Sequence, residues 1–261
     1  LLAFSLPPPL SLRGRPPPPS AVYRSLTVGV SPGEHAEIME EVARVAEPMG
    51  LEIDLIEFSD YVVPNQALAD GDIHANSFQH VPYLEQQMKD RGFALSTVGT
   101  TITTPMGVYS EKVEALADLE AGATFGIPND PTNGGRALLV LQELGLIELD
   151  EAAGLTPTVL DITANPKDLS FQELDAAQLP RSLADLDAAL INTNYALEAG
   201  LNPTEDALVI EGAESPYVNI LVVHEDNRDN EALQKLAEAL TSEDVRQFIK
   251  TEYEGAVVPV F

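Results

Sequence analysis

Residues 26–55 have the sequence LTVGVSPGEHAEIMEEVARVAEPMGLEIDL and contain a strand–helix–strand pattern. The apolar run 26–30 ends in the turn sequence Ser-Pro-Gly, which is typical of the end of a strand. A helix is indicated by apolar residues that recur at helical spacing, namely Ile38, Val42, Val45, Ala46 and Met49. Gly50 follows as a helix stop, and residues 51–55 alternate apolar and acidic side chains as a strand does. This unit predicts an α/β fold.

The same alternation continues along the chain and then starts again. The predicted elements are, in order, a helix near 65–69, a strand at 72–76, a helix at 82–90, a strand at 123–127, a leucine-rich helix that ends at Gly145, strands at 158–162, 170–174, 188–192 and 218–223, and helices near 230–240 and 242–252. Strands that alternate with helices favour α/β units built on mostly parallel sheets.

Two such series in one chain predict two lobes with a cleft between them. We assign residues 25–118 and 216–261 to lobe I, because the end of the chain returns to the first series, and residues 119–215 to lobe II. Ligands of open α/β sheets bind beyond the carboxyl ends of the strands, and clefts between domains are common binding sites. The residues that follow each strand are therefore the candidates for a site.

Composition excludes several classes of function. The chain has 261 residues with 42 acidic and 14 basic side chains, so its formal charge of −28 argues against binding nucleic acid. Cysteine is absent from the sequence, which excludes disulfides, thiol catalysis, zinc–thiolate sites and iron–sulfur clusters. A dense acidic surface with little lysine predicts adaptation to high salt, and the alternative is an ordinary acidic protein.

The first 24 residues are predicted to be a disordered, proline-rich tail. Residues 7–9 and 16–19 are uninterrupted proline, which favours polyproline II and excludes a helix. The chain begins at Leu1 instead of methionine, so we expect a fragment or a processed product. The apolar run 1–6 is far shorter than the ~20 residues of a membrane span, and no later segment is a candidate for one.

The residues after the predicted strands form two chemically different sets. Aromatic side chains dominate the residues after the early strands, and they include Tyr61, Phe78, His80 and Tyr83. Arginine and asparagine dominate the residues after the later strands and at the return strand, and they include Arg136, Asn194 and Asn219. One apolar wall and one polar wall suit a small amphipathic zwitterion.

Each of these residues also has a simpler interpretation. Tyr61, Phe78 and Tyr83 could be core or rim packing, and residues 129–135 have turn chemistry that needs no ligand. His74 and His80 lie six positions apart without other clustered ligands, which gives little support for a metal site. Arg136 is predicted in the first turn of a helix, where the dipole disfavours a cation, so a functional reason is more plausible there.

Five short motifs resemble one known family. They are DYVVPNQAL at 60–68, FQHVPYL at 78–84, PNDPTN at 128–133, QLPRS at 178–182 and SPYVN at 215–219. In this order, and from about residue 26 to 261, they are similar to the NlpA-type lipoproteins, the methionine-binding (MetQ type) proteins of ABC importers. The resemblance implies a type II periplasmic-binding-protein fold, in which two α/β lobes close on the ligand.

The resemblance also implies roles for the candidate residues. It sets the methionine side chain against Tyr61, Phe78, His80 and Tyr83, and the α-carboxylate on Arg136. It assigns Asn194 and Asn219 to the other polar groups of the ligand and leaves the role of Asn192 open.

The same resemblance implies a partner and a location. The partner is a membrane permease of the ABC type, and the location is extracytoplasmic, at the cell surface or in the periplasm, with a membrane anchor. Family members carry a lipid-attachment cysteine that this chain lacks. No cofactor, metal or catalytic residue is expected.

Two alternatives stay open at this point. The ligand could be another apolar amino acid or a methionine-containing dipeptide. An enzyme on the same fold is the third hypothesis, because one fold hosts many functions. The candidate residues contain no nucleophile–base pair, which disfavours it.

Overall fold

We describe a computed structural model of residues 23–212 and 215–261. The predicted tail lies outside the described residues, apart from Tyr23 and Arg24. The strands are β1 Ser25–Val30, β2 Glu52–Glu57, β3 Ala75–His80, β4 Leu95–Thr100, β5 Ile102–Thr103, β6 Gly107–Tyr109, β7 Thr124–Pro128, β8 Glu148–Leu149, β9 Ile162–Ala164, β10 Ser170–Leu174, β11 Ala188–Ile191, β12 Val209–Ile210, β13 Asn219–His224 and β14 Val258–Pro259. The helices are α1 Glu34–Ala46, α2 Val63–Asp70, α3 Val81–Arg91, α4 Pro131–Glu143, α5 Leu179–Ser182, α6 Thr193–Glu198, α7 Glu231–Leu240 and α8 Glu243–Tyr253.

The first lobe is built on a five-stranded sheet in the order β2-β1-β3-β13-β4. Strand β1 is parallel to both β2 and β3, whereas β13 is antiparallel to β3 and β4. Helices α1, α7 and α8 pack on one face and helices α2 and α3 on the other. Burial on both faces explains why β1 and β13 are nearly continuous apolar runs.

The second lobe repeats this architecture in the order β10-β7-β11-β6-β12. Strands β10, β7 and β11 are parallel, and β6 is antiparallel to β11 and β12. Helix α4 covers one face, which buries Phe125 and Leu190, and helices α5 and α6 cover the other face, which buries Ala189 and Ile191. Alternate residues of β11 thus enter different cores, as the two-residue period of a strand requires.

Two crossing segments join the lobes, residues 101–106 on the way out and residues 211–218 on the return, of which 213 and 214 are not described. Strand β13 then inserts between β3 and β4 of the first sheet. The predicted boundary at residue 118 does not follow the sheets, because β6 lies in the segment assigned to lobe I but pairs within the second sheet. The boundaries of the lobes otherwise stay a prediction.

Two of the strands predicted from the sequence are wrong in position or type. The strand predicted at 72–76 is β3, Ala75–His80, because this buried strand carries polar side chains that hide its pattern. The strand predicted at 158–162 is mostly a 3₁₀ turn, Val159–Asp161, in which Thr158 and Asp161 form a capping box. Most other predicted elements agree within a few residues, and within the described ranges no helix has the length and apolarity to cross a membrane.

Candidate functional site

A cavity lies between the two lobes and contains about 310 Å³ of empty space, counted to its mouth. Its lining consists of His35, Tyr61, Phe78, Gln79, His80, Tyr83, Thr104, Asn133, Arg136, Asn192, Asn194 and Asn219. All seven residues predicted from the sequence, and Asn192, therefore lie around one cavity.

The first lobe contributes an aromatic wall. The ring centroids of Tyr61, Phe78 and Tyr83 lie 6.0–6.1 Å from one another, within the range for aromatic pairs. The Tyr83 hydroxyl donates to the Tyr61 carbonyl oxygen at 2.8 Å, and burial raises the pKa of Tyr83, so this hydroxyl stays a donor. The three rings pack against one another and also line the cavity. Their interpretation as packing residues is therefore compatible with a role in ligand binding.

His80 is held in one tautomer. As the last residue of β3 it caps helix α3, where its Nδ1 accepts a hydrogen bond from the Tyr83 N–H at 3.1 Å. Its Nε2 therefore carries the proton and donates to Asn133 Oδ1 at 3.2 Å. Burial, together with the nearby charge of Arg136, lowers the pKa of His80 to about 3, so the ring is neutral at physiological pH. His74 makes a different contact, since its Nδ1 accepts from the Thr27 N–H at 2.9 Å.

An amide cluster belongs to the same lobe as the aromatic wall, and one of its members, Gln79, lines the cavity. Asn65 and Gln79 exchange two hydrogen bonds of 2.7 Å. Asn76 donates to Asn65 at 3.0 Å and accepts from Gln79 at 2.9 Å. All three side chains are buried, and such groups are costly unless they are paired. The cluster explains how strand β3 can be polar in sequence and still lie in the interior.

Helix α4 begins earlier than the sequence predicts. Asp130 is its N-cap and accepts from the backbone N–H groups of Thr132 and Asn133, while Pro131 occupies the first helical position. Residues 131–135 are therefore helical and do not form a turn. A Cβ at Gly134 would lie 2.7 Å from the Pro128 carbonyl oxygen, so close packing of the helix on its own strand requires glycine there.

Arg136 lies in the second turn of α4, not the first, and it is 2% exposed. Its Nε donates to both carboxylate oxygens of Glu211 at 3.0 and 3.1 Å, its Nη2 contacts the same carboxylate, and Nη2 also donates to the Thr104 carbonyl at 2.9 Å. The Tyr217 ring lies 4.5 Å from the guanidinium carbon. Nη1 has no hydrogen-bond partner among the described residues, so this group is the part of Arg136 that remains available to a ligand.

Two asparagines at the start of α6 have unused hydrogen-bonding capacity. Asn192 donates to Asn133 Oδ1 at 2.9 Å, but its own Oδ1 has no partner in the described part of the chain. Asn194 accepts from the Tyr61 hydroxyl at 2.5 Å, and its Nδ2 is likewise unpaired within those residues. Asn219, the first residue of β13, donates to Thr104 Oγ1 at 3.4 Å. Buried polar atoms without partners are uncommon, so they mark where a ligand can bind.

The lobes contact each other across the cavity. Besides the Tyr61–Asn194 and His80–Asn133 contacts, the Tyr195 hydroxyl of the second lobe donates to the Ser59 carbonyl of the first at 3.3 Å. Tyr61 and Tyr195 also pack with ring centroids 5.0 Å apart. The described arrangement is therefore closed.

The start of helix α1 lies beside the cavity and carries two buried titratable groups. His35 lines the cavity, and burial lowers its pKa to about 4. Glu34 is 0% exposed, and neither carboxyl oxygen has a hydrogen-bond partner within residues 23–212 and 215–261. Burial raises the pKa of Glu34 to about 8, so the protonated form predominates at neutral pH.

The sequence analysis missed Glu211, His35, Gln79, Thr104 and Asn133 as contributors to the site. Asn133 and Gln79 lie inside two quoted motifs, so their sequence context could have indicated them. Glu211 is one of 42 acidic residues and lies 75 positions after its partner, so no local signal distinguishes it.

Chemically, this cavity offers aromatic rings, unpaired amide atoms and one guanidinium NH₂ group to a small ligand. Two α/β lobes joined by crossing segments around such a cavity define a solute-binding protein with the two-lobe periplasmic-binding-protein fold. The chain belongs to the NlpA lipoprotein family, whose model matches residues 26–261.

Similar proteins and solved structures support this family assignment. The D-methionine-binding lipoprotein MetQ of Escherichia coli strain K12 is 48% identical over 236 residues, which cover 89% of this chain and 87% of that protein. A nutrient-binding protein from Burkholderia cenocepacia, solved bound to methionine, is 49% identical with a TM-score of 0.88, over 90% of this chain and 100% of that one. An ABC transporter periplasmic substrate-binding protein from Coxiella burnetii is 45% identical with a TM-score of 0.86, over 90% and 100% of the two chains.

Proposed function

We propose that this protein binds methionine between its lobes and delivers it to an ABC-type importer outside the cytoplasm. The observation that carries the proposal is the cavity itself, which has an aromatic wall on one side and unpaired polar atoms on the other. The Escherichia coli relative and the methionine-bound Burkholderia cenocepacia protein support methionine as the ligand. The similarity to the Coxiella burnetii substrate-binding protein of an ABC transporter supports the importer as the partner.

The aromatic wall suits the methionine side chain. A thioether sulfur gains ~0.3–1.5 kcal/mol from contact with an aromatic ring. Tyr61, Phe78, His80 and Tyr83 would surround the side chain, and the neutral state of His80 avoids a buried charge beside it.

The polar wall suits the backbone groups of an amino acid. Arg136 Nη1 would donate to the α-carboxylate, since charge-assisted hydrogen bonds are the stronger kind. Asn192 Oδ1 would accept from the ammonium group, and Asn194 Nδ2 would donate to the carboxylate. Asn219, on the return strand, would contact the same polar groups of the ligand. Its side chain donates a hydrogen bond to Thr104.

Delivery to the importer would depend on closure. Because the ligand contacts groups from both lobes, it stabilises the closed arrangement over an open one. The closed form would dock on the permease, and an extracytoplasmic, membrane-anchored location follows from the lipoprotein family. The cavity provides binding groups, and we propose no catalytic step.

Calorimetric titration with L-methionine, D-methionine, norleucine and a methionine-containing dipeptide tests the proposal. We expect methionine to bind tightest, and norleucine to bind more weakly because it lacks sulfur. Mass spectrometry of the recovered ligand should show unchanged methionine. Tighter binding of norleucine or of the dipeptide would favour the alternative ligands, and a chemically altered ligand would favour an enzyme.

A further inference from the structure

We propose that Glu211 is a positioning residue that makes the cleft selective for a zwitterion over the same molecule without its ammonium group. Glu211 does not line the ligand cavity; it contacts Arg136 and lines a second cavity, which we call the outer cavity. The inference rests on the proposed function, because it concerns how the same site distinguishes methionine from related anions.

The carboxylate of Glu211 is held from several directions. Besides Arg136, it accepts hydrogen bonds from the Met106 backbone N–H at 3.1 Å and from the Ser215 hydroxyl at 3.3 Å. Its side chain is 8% exposed, so water contributes little to its stabilisation. Met106 belongs to one crossing segment, and Glu211 and Ser215 belong to the other. Glu211 therefore fixes a charge where the two crossing segments meet.

This arrangement restricts how Arg136 can meet a ligand. Glu211 occupies Nε and one side of Nη2, and the Thr104 carbonyl occupies the rest of Nη2. The Tyr217 ring covers one face of the guanidinium group. Nη1 is left for the ligand, so the direction of approach of a carboxylate is set before it binds.

Glu211 also determines the charge balance of the closed site. Arg136 is the permanently charged residue among the described residues that line the cavity, and Glu211 neutralises it. His80 is neutral because its pKa is lowered to about 3, and burial keeps Tyr61 protonated by raising its pKa. A zwitterionic ligand adds no net charge to this neutral site. The corresponding 2-oxo acid adds one uncompensated negative charge, which is costly to bury.

The test is the Glu211→Gln variant, which keeps the size of the side chain and its acceptor oxygen but removes the charge. Calorimetry would give the Kd of methionine and of its 2-oxo acid, 4-methylthio-2-oxobutanoate, for the parent and the variant. We expect the ratio of the two Kd values, 2-oxo acid over methionine, to fall at least tenfold in the variant. If the role of Glu211 is purely structural, the affinities for both ligands fall by the same factor and the ratio stays unchanged. An unchanged ratio would overturn the proposal.

Glu143→Gln is the matched control, because Glu143 lies beside the same outer cavity as Glu211 and has no hydrogen bond or ion pair with Arg136 in the described chain. Its ratio should stay within twofold of the parent. If the Gln variant does not fold, the Glu211→Asp variant tests the role of the charge, because it retains the carboxylate and changes only its position. The Asp variant should keep the parent's ratio even where both affinities fall, and a tenfold lower ratio would refute a role for charge.

The same titrations separate this inference from the proposed function. A parent protein that does not bind methionine would refute the proposed function itself. A parent that binds methionine, together with a Gln variant of unchanged ratio, would refute the role of Glu211 alone.

Discussion

The two walls of the cleft differ in how their polar groups are satisfied. On the first lobe, the amides of Asn65, Asn76 and Gln79 bond to one another, and the Tyr83 hydroxyl bonds to a backbone carbonyl. On the second lobe, Asn192 Oδ1 and Asn194 Nδ2 have no partner among the described residues. The first wall is therefore complete without a ligand, whereas the second wall has hydrogen-bonding capacity left for one.

This difference assigns separate tasks to the lobes. A wall whose polar groups are already paired can present a rigid apolar surface to a side chain at little further cost. A wall with buried unpaired groups favours a ligand that satisfies them, because each unsatisfied group costs ~1–3 kcal/mol. Substitutions on the first lobe should therefore change stability, and substitutions on the second should change affinity. Four predictions test this division, and the largest expected effect comes first.

Arg136→Ala should weaken methionine binding a hundred- to a thousandfold, or about 3–4 kcal/mol. The variant loses a charge-assisted contact and leaves both the ligand carboxylate and Glu211 without the cation that neutralises them. Calorimetry measures the loss, with Arg181→Ala as control because Arg181 is exposed on the same lobe. An affinity within twofold of the parent would remove Arg136 from the ligand site.

Glu34→Gln tests an exception on the first lobe, a buried carboxyl group that accepts no hydrogen bond among the described residues and whose Oε1 lies 3.7 Å from His35 Nε2. The folded pKa of Glu34 is raised from 4.5 to about 8, so its contribution to stability is present below pH 4.5 and is lost as pH rises towards 8. The glutamine variant cannot ionise and should be more stable than the parent by ~2–3 kcal/mol at pH 7, with little difference at pH 4.

Urea unfolding of both proteins between pH 4 and 8 measures this difference. His80 titrates in both proteins, so its loss of stability as pH falls below 6.5 cancels in the comparison. His35 Nε2 lies 3.7 Å from Glu34 Oε1, so the growth of the difference is read between pH 6.5 and 8, where His35 is neutral in both proteins. Glu40→Gln is the control, because Glu40 is an exposed residue of the same helix. A stability difference that does not grow with pH would contradict the prediction.

Asn194→Ala and Asn65→Ala should affect different properties, the first mainly methionine affinity and the second mainly stability. Asn194→Ala removes an unpaired donor of the second wall and also the acceptor of the Tyr61 hydroxyl. It should weaken methionine binding by ~1–2 kcal/mol and lower the ligand-free melting temperature less than Asn65→Ala does. Asn65→Ala breaks the amide cluster and should lower the free energy of unfolding by a similar amount, with affinity within fivefold of the parent. Melting curves with and without methionine measure both effects, and equal behaviour of the two variants would end the distinction between the walls.

Tyr83→Phe should have the smallest effect. It keeps the ring against the cavity but removes the hydroxyl that donates to the Tyr61 carbonyl, so stability should fall by ~0.5–1.5 kcal/mol. Methionine affinity should stay within threefold of the parent, as calorimetry can show. A larger loss of affinity would mean that the hydroxyl takes part in ligand binding and that the first wall is not purely apolar in function.

Local sequence predicted much of the fold. The strands at 170–174 and 188–192 and the two final helices agree closely with the structure, because periodicity and capping depend on near neighbours. Strand β3 was predicted a few residues too early. Its polar side chains are buried because the amides Asn65, Asn76 and Gln79 bond to one another, and a hydrophobic pattern does not reveal such a strand. The strands β4 to β6 were also missed, because the β4 sequence LSTVGT has no clear apolar alternation and β5 and β6 are only two and three residues long.

Patterns along the chain were sufficient for the α/β alternation, the family motifs and the seven predicted residues that line the cavity. The prediction of adaptation to high salt rests on charge alone and stays a prediction. Long-range packing, in contrast, settles which groups at the site are paired. Arg136 meets Glu211 because two crossing segments bring residues 75 positions apart into contact, and a pattern of near neighbours contains no information on such a pair. The same long-range folding leaves Asn192 and Asn194 with free atoms, among the described residues, in a closed cleft.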